Sequence, residues 1–383
     1  MRLTISREDL IDVLGRGGIP ISIDPALNSA FRGFGRLEYS KGRLVVQSQG
    51  PTVAAKAYVQ VDDTDAEDGV ICVSIERMSE MLKFFPKSDN VIVSHVVSEN
   101  SPNGEVHLKA GKTTLKIPCV HEKLFPDMGQ PDGENVLTTD TESILAIIKS
   151  VGAYAMPNDA DGIRSNIVCR SSEDKIYGAA TDGISLCYDF FASGNLDSVA
   201  CLPMRITKGL KKFLRDGEVS IRSNGKTMFM SQKCAFIRTS VTPAMDNKFP
   251  NFLRLMEMEY HCGISVSAEL FDSVIQASNK TNSEEAILQV IDDEVFLYAL
   301  SPVSGMRYSG SVKGTNQKGD MEVGFSPFML TKFIQNISSD TIDISFSVQT
   351  NSKGWPAHIR LTCGNYNLFV KARVAMVSDP VHE

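Results

Sequence analysis

The chain has 383 residues, of which 42% are hydrophobic and 22% charged, so it has ample material for two or three buried cores. Its 46 acidic and 39 basic residues leave a net charge of −7, which excludes a protein that coats nucleic acid through bulk positive charge; any such contact has to be local. No apolar run reaches the roughly 18 residues of a membrane span and the start, Met1-Arg2-Leu3-Thr4, has no long apolar stretch, so the expectation is a cytoplasmic chain without a membrane partner.

Six short amphipathic helices are predicted in chain order. The first covers Arg7 to Leu14, capped by Ser6 with Asp9 three residues on, and Gly15-Arg16-Gly17-Gly18 reads as the turn that follows. That glycine cluster lacks the Lys-Ser/Thr pair of a phosphate loop. The second covers Ile75 to Phe85 and stops at Pro86. The third covers Thr141 to Val151, with Thr139 and Glu142 as a capping box. The fourth covers Pro203 to Arg215, the fifth Ala268 to Ala277, and the sixth opens at Ser326-Pro327 and ends near Ile337.

Short runs of β-branched and aromatic residues follow each helix. After the odd helices come Arg43 to Val46, Lys175 to Tyr177 and Val295 to Tyr298; after the even ones Val91 to Val93, Val219 to Ile221 and Ile342 to Phe346. The last alternates with period two, which buries one face. Lys123-Leu124-Phe125-Pro126-Asp127 is echoed by Lys248-Phe249-Pro250-Asn251, a joint repeated about a third of the chain later. One helix with a few strands cannot bury both faces, so the units are expected to pair. The predicted class is α+β: three similar domains, each with two helices and antiparallel sheets, over residues 1–128, 129–256 and 257–383.

Catalytic patterns are missing from the primary structure. No histidine belongs to an HExxH run and no serine to a GxSxG elbow, and no catalytic residue is assigned. The eight cysteines form no CxxC pair, and most stand in apolar runs, as reduced buried thiols do. Cys119 and His121 have no second pair at zinc-site spacing, so neither metal nor cofactor is expected.

The fourth helix carries a cationic stripe. Arg205, Lys208, Lys212 and Arg215 follow at spacings of 3, 4 and 3, opposite Ile206, Leu210, Phe213 and Leu214. Such a stripe is either a solvated face or a phosphate contact, which needs charge and reach but no base-specific geometry. Arg77, Lys83, Lys149 and Lys332 add single cations on other helices.

Ala180-Thr181-Asp182-Gly183 followed by Leu186, then Lys248-Phe249-Pro250-Asn251 and Arg254, resembles the bacterial DNA polymerase III beta sliding clamp. The Val-Gly-Phe-Ser-Pro approach to the sixth helix and the strand from Asn367 to Val374 extend the likeness over nearly the whole chain. The resemblance implies a clamp fold of three similar domains, closing as a head-to-tail homodimer into a ring around duplex DNA. It implies a processivity factor without enzymatic activity, with a polymerase and a clamp loader as partners that dock through linear motifs. The implied pocket lies between the central and C-terminal domains. By position it takes Thr181, Gly183, Leu186, Pro250, Arg254, Leu255, Leu368, Val370, Arg373 and Val374. Ile184 and Ser185 stand where the family has His-Arg, Arg164 where an apolar pocket residue is expected, and Lys371-Ala372 in place of a Pro-Met-like pair. The residues from Ala375 to Glu383 run past the usual end, and the loop from Pro157 to Asp161 is acidic where the family places DNA contacts. Two further readings fit the residues: a clamp-fold scaffold or competitor that does not encircle DNA, and an unrelated α+β enzyme.

Overall fold

The computed structural model describes all residues except 21–32, 51, 88–89, 100, 126, 157–161, 242–248, 284, 338, 348–357 and 372–383. One order of elements occurs three times along the chain. The first pass is β1 (Arg2–Ser6), α1 (Arg7–Gly17), β2 (Phe34–Ser40), β3 (Arg43–Gln49), β4 (Val53–Gln60), β5 (Gly69–Ser74), α2 (Ile75–Leu82), β6 (Asn90–Ser98), β7 (Ser101–Ala110) and β8 (Thr113–Pro118). The second is β9 (Glu134–Asp140), α3 (Thr141–Ser150), β10 (Asn166–Ser172), β11 (Lys175–Thr181), β12 (Ser185–Ser193), β13 (Ala200–Pro203), α4 (Met204–Phe213), β14 (Glu218–Ser223), β15 (Thr227–Gln232) and β16 (Ala235–Ser240). After a short helix α5 (Phe252–Met256), the third is β17 (Tyr260–Ser267), α6 (Ala268–Asn279), β18 (Ala286–Ile291), β19 (Glu294–Leu300), β20 (Arg307–Lys318), β21 (Met321–Phe325), α7 (Pro327–Ile334), β22 (Thr341–Ser347), β23 (His358–Cys363) and β24 (Tyr366–Lys371).

The strands group in antiparallel quartets of two recurring patterns. The quartets β5-β2-β3-β4, β13-β10-β11-β12 and β21-β18-β19-β20 share one order, and β1-β6-β7-β8, β9-β14-β15-β16 and β17-β22-β23-β24 share the other. The second and third copies of the latter are joined edge to edge with the former: β4 pairs with β16, and β12 with β24. Each of the six longer helices follows a strand directly or after one residue, and at three of these junctions a serine caps the first turn. Ser6 accepts the amide of Asp9 at 3.1 Å, Ser74 that of Arg77 at 3.3 Å and Ser267 that of Leu270 at 3.5 Å. Ser326 precedes Pro327, whose missing N–H costs nothing in a first helical turn.

By contacts the chain divides into two compact units, Met1–Glu142 with Pro203–Ala244, and Ser143–Leu202 with Met245–Glu383. In the first, α1 packs against β3, β4, α2 and α4, with Leu10, Val13 and Leu14 buried. In the second, α6 lies against α7, β17, β19 and β20, burying Phe271, Val274 and Ile275 against Leu330 and Phe333. Ile342, Ile344 and Phe346 of β22 are fully buried while Thr341 and Asp343 are exposed, as the alternation requires.

Two local expectations need correction. Gly15-Arg16-Gly17 does not form a turn: α1 runs through Gly17 and Gly18 is its cap, donating its N–H to Leu14 O at 2.9 Å. Gly17 is there for proximity, since a Cβ would stand 2.5 Å from Val46 O and 2.8 Å from Val46 Cγ1. Gly17→Ala is therefore expected to destabilise the protein by about 1–3 kcal/mol, an overpacking cost read directly from denaturant midpoints. Thr139 likewise does not cap α3, because it lies inside β9 opposite Val219. The Thr141 hydroxyl instead donates to Arg215 O at 2.6 Å.

Cys72, Cys119, Cys169 and Cys187 are buried, and none of the described cysteines is in a disulfide. Burial pushes the Cys72 and Cys119 thiols up to about 11, so they are inert at neutral pH. Among the described residues no three His, Cys, Asp or Glu are placed to hold a metal ion, and no helix is long and apolar enough to cross a membrane.

Candidate nucleic-acid interface and docking groove

The cationic stripe lies in the first unit, on α4. Ile206, Leu210 and Phe213 are fully buried, which turns Lys208 and Lys212 to solvent and leaves Arg205 half-exposed, its Nη1 donating to Ser240 Oγ at 3.3 Å. Lys211, which the sequence reading passed over, is exposed on the same helix. Arg215 is different. It lies past the helix end and bonds Asp12 through Nε at 3.0 Å and also through Nη2, while Nη1 donates to the carbonyls of Lys212 and Leu214. Its charge is matched inside the fold, so it drops out of the stripe. Sequence spacing alone cannot reveal a partner 203 residues away.

Arg77 and Lys83 are exposed, at the first turn and the C-cap of α2. In the second unit Lys149 is exposed on α3. Lys332 is engaged: its Nζ donates to Ala153 O at 3.2 Å and lies 5.7 Å and 5.4 Å from the ring centroids of Tyr154 and Phe328.

The described residues among those carried over to the docking pocket fall in the second unit, around the turn between β11 and β12. That turn is built by its own side chains. Thr181 Oγ1 donates to Ser185 O at 2.6 Å and accepts from Gly183 N at 3.0 Å. Asp182 Oδ1 accepts from the amides of Ile184 and Ser185 at 2.9 and 2.7 Å, and Oδ2 takes the Ser185 hydroxyl at 2.9 Å. Gly183 supplies the φ of +93° that closes it. Ser185, in the position of the expected arginine, is thus a component of the turn.

The register decides which face each residue joins. Thr181 is opposite Leu186, and Leu186 is opposite Phe369. These share a face with an aromatic cluster in which Tyr188 stacks on Phe369 and Phe252, at centroid distances of 5.6 and 5.9 Å. Leu368 and Val370 alternate to the opposite face and are fully buried, alongside Tyr366, whose hydroxyl donates to Ser150 O at 2.8 Å. The position carried over to that face of β24 is therefore met by Phe369. Residues 249–256 close over the cluster, leaving Pro250 and Arg254 exposed and Leu255 half-buried. Arg164 crosses the turn, with Nη1 3.4 Å from where a Gly183 Cβ would stand. Ile184 is exposed. Arg373 and Val374 lie outside the described residues, as do Pro126, Lys248 and the loop from Pro157 to Asp161.

His358 borders this face, opposite Lys371, and its Nδ1 is buried without a hydrogen bond. Burial, helped by the Lys371 charge, holds its pKa below the usual 6.5. The unfolded chain then binds the proton more readily, so stability is full above the unfolded value and falls as pH drops through it toward the folded one. Denaturant unfolding between pH 7.5 and pH 5 is expected to show a steeper acid loss for the native chain than for His358→Gln.

No protein-family model matches the chain, and no curated protein does. Solved structures do. The DNA polymerase III subunit beta of Pseudomonas aeruginosa is 16% identical, with a TM-score of 0.81 over 97% of this chain and 100% of that one. The DNA polymerase sliding clamp of Caulobacter crescentus is 15% identical, with a TM-score of 0.82 over 98% and 100%. The beta subunit of DNA polymerase from Streptococcus pyogenes is 15% identical, with a TM-score of 0.81 over 98% and 100%. The chain has the fold of a bacterial sliding clamp.

Proposed function

We propose that this chain is a DNA sliding clamp. Two copies close head to tail into a ring around duplex DNA, three domains from each, and the ring holds a polymerase and other partners through the groove beside the Thr181–Ser185 turn. The chain performs no catalysis, and its persistence on DNA comes from topology. The central observation supporting this reading is the repeated strand joint.

In one joint Lys56 of β4 is opposite Phe236 of β16; in the other Tyr188 of β12 is opposite Asn367 of β24. The two registers are equivalent. Lys56 and Tyr188 face Gln47 and Ala179, each four residues into its strand from Arg43 and Lys175. Phe236 and Asn367 each stand one residue past the first hairpin pair. Carried to the remaining edges, the same rule sets Ser309 of β20 opposite Thr114 of β8 in a second copy. Both side chains are exposed. In the first unit α1 meets α4 beside the joint, and the equivalent pair across copies is α6 with α2. The end of α2 leaves Met81 and Phe84 exposed by 41% and 80%, apolar surface of the kind an interface covers.

The test uses Thr114→Cys with Ser309→Cys. The reduced variant is mixed with circular plasmid, oxidised and washed in high salt. Disulfide-linked dimers are expected to stay on circular DNA and to come off when it is linearised. Linked dimers that wash off circular DNA sink the encircling mechanism and leave the scaffold reading; the lack of any link where native-register dimers form sinks the head-to-tail joint.

A further inference from the structure

Each of the two strand joints within the chain is covered by the segment that follows the last strand of a repeat. After β8, Met128 packs with Ala54, Phe229 and Phe236 and its N–H donates to Gln47 Oε1 at 3.4 Å, while Asp127 pairs with Lys56 Nζ at 2.6 Å. After β16, Phe249 and Phe252 close over Tyr177, Ala179 and Tyr188. The register makes the covered positions equivalent: Gln47 faces Lys56, Ala179 faces Tyr188, and in the third repeat Tyr298 faces Ser309. In that third face the Phe296 and Tyr298 rings stack at 6.4 Å between centroids and are half-buried, and Arg307 and Ser309 are exposed. At the same four positions of the second repeat, Tyr177, Ala179, Leu186 and Tyr188 are buried. An apolar stripe left this accessible, in a place that both equivalents cover, calls for the same kind of cover.

The segment in the equivalent place is Ala372 to Glu383, which follows β24 and lies outside the described residues. It has the length, since Met128 stands ten residues past the end of β8 and Val381 ten past the end of β24. It has the chemistry, with Met376, Val377 and Val381 as apolar side chains, Pro380 in the manner of Pro126 and Pro250, and carboxylates at Asp379 and Glu383. We propose that residues 372–383 are a third strap, laid over Phe296 and Tyr298 of their own chain. Its far end bears on the joint with a second copy, and that part rests on the ring proposed above. The register that sets Thr114 opposite Ser309 also sets Lys116 of the second copy opposite Arg307, and two exposed cations at that spacing repel. Asp379 and Glu383 offset the repulsion, as Asp127 answers Lys56. At the other two joints the strap runs on into the sheet that it fastens. Here the facing strand belongs to another chain, so the strap is the part of the joint that can let go.

Tyr298→Cys with Val381→Cys in the full-length chain tests the strap, because the equivalent pair, Gln47 and Met128, is in contact. On oxidation with diamide an intrachain 298–381 disulfide is expected, mapped by mass spectrometry, at protein concentrations that favour the monomer as well as the dimer. Val377→Asp with Val381→Asp is expected to raise the dimer dissociation constant about tenfold in sedimentation and to shorten retention on circular plasmid. Asp379→Lys with Glu383→Lys is expected to weaken the dimer most at low salt. Adding Lys116→Glu with Arg307→Glu is expected to restore it, an outcome that misfolding cannot produce. If Thr114→Cys with Ser309→Cys dimers link while no 298–381 bond forms, the strap is overturned, the ring stands, and the Phe296–Tyr298 face is left to another occupant. A 298–381 bond together with a dimer indifferent to every tail substitution overturns the closing role. A 298–381 bond in a chain that never dimerises keeps the strap on β19 and overturns the closing role along with the ring.

Discussion

Reversing the three cations of α4 that the stripe retains, exposed Lys208 and Lys212 and half-exposed Arg205, as Arg205→Glu, Lys208→Glu and Lys212→Glu, is expected to weaken binding to a short linear duplex by about 10- to 100-fold at low salt. Every cation withdrawn from a phosphate also takes about 0.9 off the slope of log K against log salt, so the triple variant is expected to flatten that slope by nearly three. The apolar side of the helix is untouched and Lys208 and Lys212 are exposed, while the reversal at Arg205 gives up its bond to Ser240 Oγ, so the duplex affinity is compared at matched folded fraction. Arg215→Glu is the informative contrast. It places a carboxylate against Asp12 and breaks bonds that tie α1 to the end of α4, so its main effect falls on stability. Unchanged duplex affinity in the triple variant removes α4 from the DNA interface.

The second large effect is expected at Gln232, 1% exposed beneath that helix end. Its Nε2 donates to Thr141 Oγ1 at 2.8 Å and to Arg215 O, and its Oε1 accepts Arg215 N at 2.7 Å. Its backbone carbonyl accepts from Nη2 of Arg16, a residue 5% exposed whose guanidinium also lies 5.2 Å from the Phe213 ring centroid. One residue of β15 thus holds the start of α3, the end of α4 and the end of α1. Gln232→Leu keeps the size but strands the Arg215 amide and weakens the satisfaction of its carbonyl, both part-buried. The expected loss is about 2–4 kcal/mol, measured as a shift of denaturant midpoint at constant slope. Gln232→Glu retains acceptors but not the amide donors, and is expected to fall between the native chain and the leucine variant. A change within about 0.5 kcal/mol for the leucine variant means that the network is not the fastening of this joint.

The six longer helices were legible because each is brief, amphipathic and introduced by a strand, with serine, proline or threonine at the junction. Their cores followed from period alone: Ile206, Leu210 and Phe213 on α4, and Ile342, Ile344 and Phe346 on β22, are where a 3.6- or 2-residue repeat puts them. What misled the reading was long-range. Gly17 looked like a turn glycine because the carbonyl of Val46 that it must approach is distant in sequence. Arg215 and Lys332 looked like solvent-facing cations because Asp12, Ala153, Tyr154 and Phe328 are invisible to a helical wheel. Beside the aromatic cluster, Arg170, Arg360 and Phe369 went unnoticed, since which face of a sheet they share is fixed by register and not by spacing.

Composition and periodicity by themselves determined the α+β class, the six helices in step with strand groups, and the need for any DNA contact to be local in an acidic chain. Those are properties of segments, set by backbone hydrogen bonding and by the alternation of apolar side chains along one element. The tertiary structure decided which cations are matched inside the fold, which residues of β24 share a face with the aromatic cluster, and how β4 joins β16 in the same register as β12 joins β24. These depend on pairing between residues far apart in the chain, and a shift of one residue in a strand would move every side chain to the opposite face.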